Sequence, residues 1–367
     1  LYAREAFGPL AGFEVGWLLW IARITAFAAN CNLLVDYLGF FWPGAATAVG
    51  RNSAITLVVL ALTLVNFTGV RNAARASNAF TIAKLLPLVL FIAVGLFFLH
   101  PGNYSFSARP GFGDFSVSVL LLIYAFSGFE MAVIPGGEAR DPRADIPHAL
   151  LTAIAVVAVF YFLIQLVAIG TLPGLASSTR PLAEAGGRFL GPLGGAIISA
   201  GALVSILGNL NVILLVASRL PFAMAERREL PHVLSATHPR FRTPHLSLLL
   251  TAAAVLVLTL TGKFVTAATI SVIARLLSYG ATCAALPVLR RKADAPPASF
   301  KAPAGVAVSA AALLLSAWLL SHSTGRQARD SAIAIGVGFL LYSLSSRQRA
   351  IHRHATSPSR HTSRPTD

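Results

Sequence analysis

The stretch YAFSGFEMAVIPGGEARDP, Tyr124 to Pro142, decides the fold. It follows an apolar run that opens as SVSVLLLI at Ser116. Such a run reads as a helix crossing a membrane, yet its middle holds Ser127-Gly128 and then an acid, Glu130. Gly is poor in helix interiors, and Ser-Gly pairs are sites of kinks. Backbone freed from a helix at this depth survives only where it lines a cavity or is buried in protein. A charge at mid-membrane costs ~3 kcal/mol on insertion scales, so Glu130 needs an interior partner or water.

Working outward, composition sets the class. The chain has 367 residues, 56% hydrophobic and 12% charged, with mean hydropathy +0.71. That is a polytopic membrane protein rather than a soluble domain. The apolar runs are continuous, which excludes the alternating strands of a barrel. Cys31 and Cys283 lie within apolar runs and read as small buried hydrophobes. The histidines show no ligand spacing, and there is no G-x-S-x-G, H-E-x-x-H or Walker loop. No metal or cofactor is expected, and neither an enzyme nor an ATP-driven pump.

A span needs roughly 20 apolar residues to cross ~30 Å of hydrocarbon. Ten runs qualify: 10–35, 53–70, 79–99, 117–136, 149–171, 193–218, 245–262, 265–289, 305–321 and 331–346. Residues 1–346 thus form an all-α transmembrane domain. Residues 347–367, rich in Ser, Arg, His and Pro, form a basic tail expected to be disordered. Of the 29 Lys and Arg, 20 fall on the side of the termini and seven on the other, with Arg23 and Arg275 inside spans. The richer side should face the cytoplasm, which puts both termini there, in a cell (inner) membrane. The net charge of +15 therefore reads as topogenic, not as a nucleic-acid surface.

A break at mid-span is how many secondary transporters build a substrate site from helix dipoles and unwound peptide groups. Tyr124, Ala125, Phe126, Ser127, Gly128, Phe129 and Glu130 are the candidate binding residues. Residues 120–149 resemble the sixth helix and following loop of the amino acid–polyamine–organocation permeases. REAFGPLAGFEVGWLLWIAR (4–23), NFTGVRNAARASNAFTIAKLLPL (66–88) and residues 202–244 resemble further segments of that family in the same order. The resemblance implies a LeuT-like inverted-repeat fold and carriage of amino acids or related amines. It pairs the ten runs with the family's third to twelfth helices and leaves its first two without a counterpart. The expectations for that are a fragment, a truncated gene, or a pair supplied by another chain.

Lys84 lies about five residues inside its span, where the resemblance implies a lysine coupling transport to protons. Burial can bring a lysine towards neutrality. Snorkelling to the nearby interface fits the same residue. Arg23, inside an apolar span, has Glu130 as candidate partner, for packing or as a gate; Arg275 poses the same choice. Ser205, Gly208 and Asn209 form a small polar patch that suits either close helix approach or lining a path opposite the break. The expected partners are an amine-bearing solute, protons and the bilayer, with the oligomeric state left open. The rival reading is a transport-inactive remnant or an assembly subunit.

Overall fold

The computed structural model describes residues 2–69, 73–104, 111–129, 142–292 and 303–355, with side chains for all of these except 73–83, 142–144 and 346–355. Among them no strand forms. The helices are α1 (Tyr2–Phe7), α2 (Pro9–Leu38), α3 (Ala48–Thr68), α4 (Ala73–Gly95), α5 (Phe112–Phe126), α6 (Pro142–Thr171), α7 (Pro181–Glu226), α8 (His245–Thr261), α9 (Phe264–Arg291), α10 (Gly305–Ser321) and α11 (Gly325–Ala355). Local chemistry sets their starts. Pro9 and Pro181 open α2 and α7 at the position where a missing N–H is harmless. The Thr47 hydroxyl accepts from Gly50 N at 3.1 Å and caps α3.

A helix overlaps each of the ten expected runs, the fourth only as far as Phe126. Five helices, α2, α3, α6, α7 and α9, are individually long and apolar enough to cross a membrane. Shorter apolar stretches lie at Lys84–Phe98, Phe112–Phe126 and His245–Thr261, and α10 and α11 meet at a bend of 117°. The apolar residues divide by environment. The apolar stretch of α2 is 78% buried, that of α6 only 6%. A helix apolar all round belongs inside protein or in lipid; α2 takes the first role and α6 the second.

The helices around α2 are joined to it by polar contacts as well as packing. Trp20 Nε1 donates to Thr251 Oγ1 at 3.3 Å, and Ser271 Oγ donates to the Ala22 carbonyl at 2.6 Å. Small residues allow close approach elsewhere. A Cβ added at Gly201 of α7 would sit 2.5 Å from Pro87 of α4.

Contacts sort the connections into two ends. At one, Arg4 pairs with Glu229, Lys292 Nζ donates to the Glu5 carbonyl, and Ser345 Oγ donates to the Arg228 carbonyl. At the other, Arg51 pairs with Asp36 at 3.5 Å, His100 N donates to the Gly170 carbonyl, and Phe112 meets His322. The start of the chain and the α11 segment at Ser345 therefore lie at the same end.

Three boundaries differ from expectation. The fourth run ends as helix at Phe126 rather than at 136, because the chain turns at Ser127-Gly128; residues 130–141 lie outside the described residues. The sixth run is preceded by a helical segment from Pro181, joined to it through Gly191 at φ 68°, ψ −167°. The expected tail begins as helix, since α11 continues to Ala355; Arg, Gln and Ala in this stretch are good helix formers. Residues 356–367 lie outside the described residues.

Candidate functional site

The site begins where α5 stops. Ser127 is extended at φ −73°, ψ 153°, and Gly128 takes φ +113°, a conformation that L side chains rarely adopt. Ending a helix here frees carbonyls that the next turn would have bonded. The Tyr124 carbonyl accepts from Ser127 N at 3.1 Å and from Ser127 Oγ at 2.7 Å. The Ala125 carbonyl accepts from the Tyr161 hydroxyl of α6 at 3.0 Å. Two side chains thus stabilise the interruption where water or lipid could not. A Cβ placed on Gly128 meets no described atom within 4 Å.

Aromatic rings frame this turn. Phe126 packs against Tyr161 at 5.2 Å between centroids, and Phe129 against Tyr279 of α9 at 5.7 Å. Tyr124 faces the other way, onto α2. Its hydroxyl accepts from Asn30 Nδ2 at 2.7 Å and donates to the Ala26 carbonyl at 3.2 Å, and its ring meets Phe264 edge-on at 6.2 Å. Tyr124 therefore anchors the broken end to the central helix, while Ala125 and Phe129 are exposed. Glu130 lies outside the described residues.

The remaining sequence candidates are distributed over other elements. Arg23 on α2 and Arg275 on α9 are 5% and 3% exposed. They share one interface: Arg275 Nε donates to Ser271 Oγ at 3.4 Å, and that hydroxyl bonds the carbonyl of Ala22, the residue before Arg23. The expected Arg23–Glu130 pair involves a residue outside the described set. Lys84 is exposed on α4 and makes no hydrogen bond or ion pair among the described residues. It lies one turn before Pro87, where α4 packs on Gly201 of α7. Ser205 is half-buried one turn beyond Gly201, and Asn209 is exposed.

Four polar residues escaped the sequence reading. Asn66 Nδ2 donates to Asn211 Oδ1 at 2.8 Å across α3 and α7, so Asn211, not Asn209, makes the interhelical bond. Tyr161 was unmarked within an apolar run, and only its pairing with the freed carbonyl gives it a role. Asn30 was hidden in the same way. The signal was present in each case, a polar side chain inside a span, but the partner depends on which helices adjoin. A cavity of about 300 Å³ opens elsewhere, among Phe98, His100, Asn103, Thr171, Arg188 and Phe189, and shares no lining residue with the break.

Peptide groups at a helix end, a phenol and aromatic walls can hold a small polar solute. Among the described residues no three His, Cys, Asp or Glu side chains gather to hold a metal. Comparison with known proteins gives this arrangement its context. Residues 1–341 match the amino acid permease family. The chain belongs to that family. The permease is 26% identical over 371 residues to the methylthioribose transporter of Bacillus subtilis, covering 95% of this chain and 79% of that protein. It is 28% identical to the serine/threonine exchanger SteT of the same organism, over 82% of this chain and 70% of that protein. An uncharacterised transporter of Mycobacterium tuberculosis is 31% identical over 270 residues, 71% of this chain; the match spans 58% of that protein's length. The permease is an all-α, multi-pass membrane protein of a transporter family, not an enzyme.

Proposed function

We propose that the permease carries amino acids or related amines by alternating access, as a proton-coupled symporter or an exchanger. The observation that carries this reading is the helix interruption at Ser127-Gly128, with freed carbonyls held by the Ser127 and Tyr161 side chains and aromatic rings around the turn. Peptide groups around Ala125–Glu130 bind the amine and carboxylate of the solute. Phe126 and Phe129 pack its side chain, and Tyr124, fixed to α2, transmits occupancy to the centre of the bundle. Ser205 and Asn209 line the path on the α7 side. The relatives named above are a methylthioribose transporter and a serine/threonine exchanger, so the solute's side chain is left open.

Lys84 links protonation to the movement. A ligand shifts a conformational equilibrium only by binding one state better than the other, and a lysine that loses its proton in one state and regains it in the next meets that condition. The orientation that fits the charge distribution puts both termini in the cytoplasm.

Uptake into proteoliposomes by a panel of labelled amino acids and amines, with and without a proton gradient, tests the reading. Accumulation or exchange of at least one amine-bearing solute is expected. The absence of both for every solute overturns the function. Lys84→Ala should abolish gradient-driven accumulation and spare exchange; unchanged accumulation removes the coupling role.

A further inference from the structure

The terminus-side end of α2 carries a carboxyl group that the transport reading does not use. Glu14 lies six residues into α2, and both of its carboxyl oxygens are enclosed without a hydrogen-bond partner. They lie directly on the backbone of α11. A Cβ built at Gly338 would stand 2.7 and 2.9 Å from the two oxygens and 2.6 Å from Trp17 Cδ1. Only a glycine lets the carboxyl lie there. The contact is sealed on both sides: Trp17 Nε1 donates to the Ala334 carbonyl at 2.9 Å, and Phe13 packs on Tyr342 at 5.4 Å.

Neighbouring elements bring several ionisable groups to this end: Arg4 and Glu5 on α1, Arg219 and Glu226 on α7, then Arg227, Arg228 and Glu229. His232 and His245 precede or open α8, Arg290, Arg291 and Lys292 close α9, and Tyr342 stands on α11. None of these hydrogen-bonds the Glu14 carboxyl. Arg4 is committed to the buried Glu229, and Lys292 to the Glu5 carbonyl.

From this packing we propose that Glu14 is a proton-binding residue whose protonation docks α11 onto α2 and whose ionisation releases it. An unpaired charge sealed in protein costs several kcal/mol, whereas a neutral carboxyl costs only its missing hydrogen bonds. The docked contact therefore holds Glu14 with its proton. Separating α11 from α2 admits water to the carboxyl and allows the proton to leave. The sign follows. The docked state binds one more proton than the open state, so acid favours docking and rising pH opens it, by at most about tenfold in the docking equilibrium per pH unit. The inference deepens the proton-coupled reading of the permease, giving the proton a carrier on a second helix pair, apart from Lys84.

The experiment reads distance, not transport. Spin labels are placed at Leu10 of α2 and Leu344 of α11, both exposed, in a Cys31→Ala, Cys283→Ala background reconstituted in nanodiscs. Pulsed-EPR distances are recorded from about pH 5 to about pH 9. The expected result is a population at the docked distance that gives way to longer distances as pH rises. Glu14→Gln, which cannot ionise, should stay docked across the range. Gly338→Ala, which pushes the carboxyl off the helix, should populate longer distances even in acid. Distances independent of pH in the unmodified residue, or a shift that persists in Glu14→Gln, overturn the proposal. Failure of solute uptake strikes the transport reading and leaves this distance measurement standing.

Discussion

The breaks at Ser127-Gly128 and at Gly191-Pro192 differ in their surroundings. At Ser127-Gly128 the freed carbonyls are held by a serine and a tyrosine, and rings from α6 and α9 stand over the turn. At Gly191-Pro192 no described side-chain donor holds the freed backbone, and the segments on either side pack closely. A Cβ on Gly194 would lie 2.7 Å from the Gly186 carbonyl, and one on Gly195 would lie 3.1 Å from the Phe40 ring. Both breaks use a glycine at positive φ. Only the first adds side-chain donors and an exposed aromatic frame. A break serves as a binding element when polar groups converge on it; otherwise it is a way to fit a connecting segment against the bundle.

Substitutions can sharpen or dissolve this contrast. The largest effect on transport is expected from Gly128→Ala. A side chain at φ +113° costs about 1–3 kcal/mol, which is about 5- to 150-fold in kcat/KM if the turn is part of the site. Surface expression should hold, and loss of expression in parallel with activity would make the turn structural. Tyr161→Phe comes next. It leaves the carbonyl of the exposed Ala125 without its donor, at about 1–2 kcal/mol, so uptake kinetics should show a loss of about 5- to 30-fold. Ser127→Ala should cost less, within about threefold, because the Tyr124 carbonyl keeps the bond from Ser127 N. Gly191→Ala should leave KM within about twofold. It places a side chain at φ 68°, ψ −167°, a region essentially restricted to glycine, and should lower thermal stability by about 1–3 kcal/mol. A KM effect at Gly191 equal to that at Gly128 would erase the distinction between the two breaks.

The same contrast measures what the sequence made legible. The ten apolar runs and the interruption at Ser127-Gly128 follow from local chemistry: hydrophobic length, and a Ser-Gly pair where a helix should continue. Phe126 and Phe129 were also readable, because they flank that pair and sit beside the turn. Tyr161 was not, since a tyrosine in an apolar run is unremarkable until the partner carbonyl is known to lie across from it. The segment at 181–190 was missed because its apolar content falls short of a span, and nothing local says that Gly186 will meet Gly194. Asn211 was missed for the same reason: it and Asn209 are both polar and two residues apart, and only the rotation of α7 against α3 decides which one finds Asn66. Glu14 drew no attention in the sequence, where an acid near the start of a span looks ordinary. Its meaning comes from Gly338, more than 300 residues away in the chain.

Access to the turn itself gives the most direct measurement. In the Cys31→Ala, Cys283→Ala background, Ser127→Cys is treated with a membrane-impermeant thiol reagent, with and without a transported solute. The account predicts that the new thiol reacts from the water phase and that solute slows the reaction in a saturable way. A thiol that reacts equally fast with and without saturating solute, in protein that still transports, would contradict the claim that the interrupted helix forms the binding site.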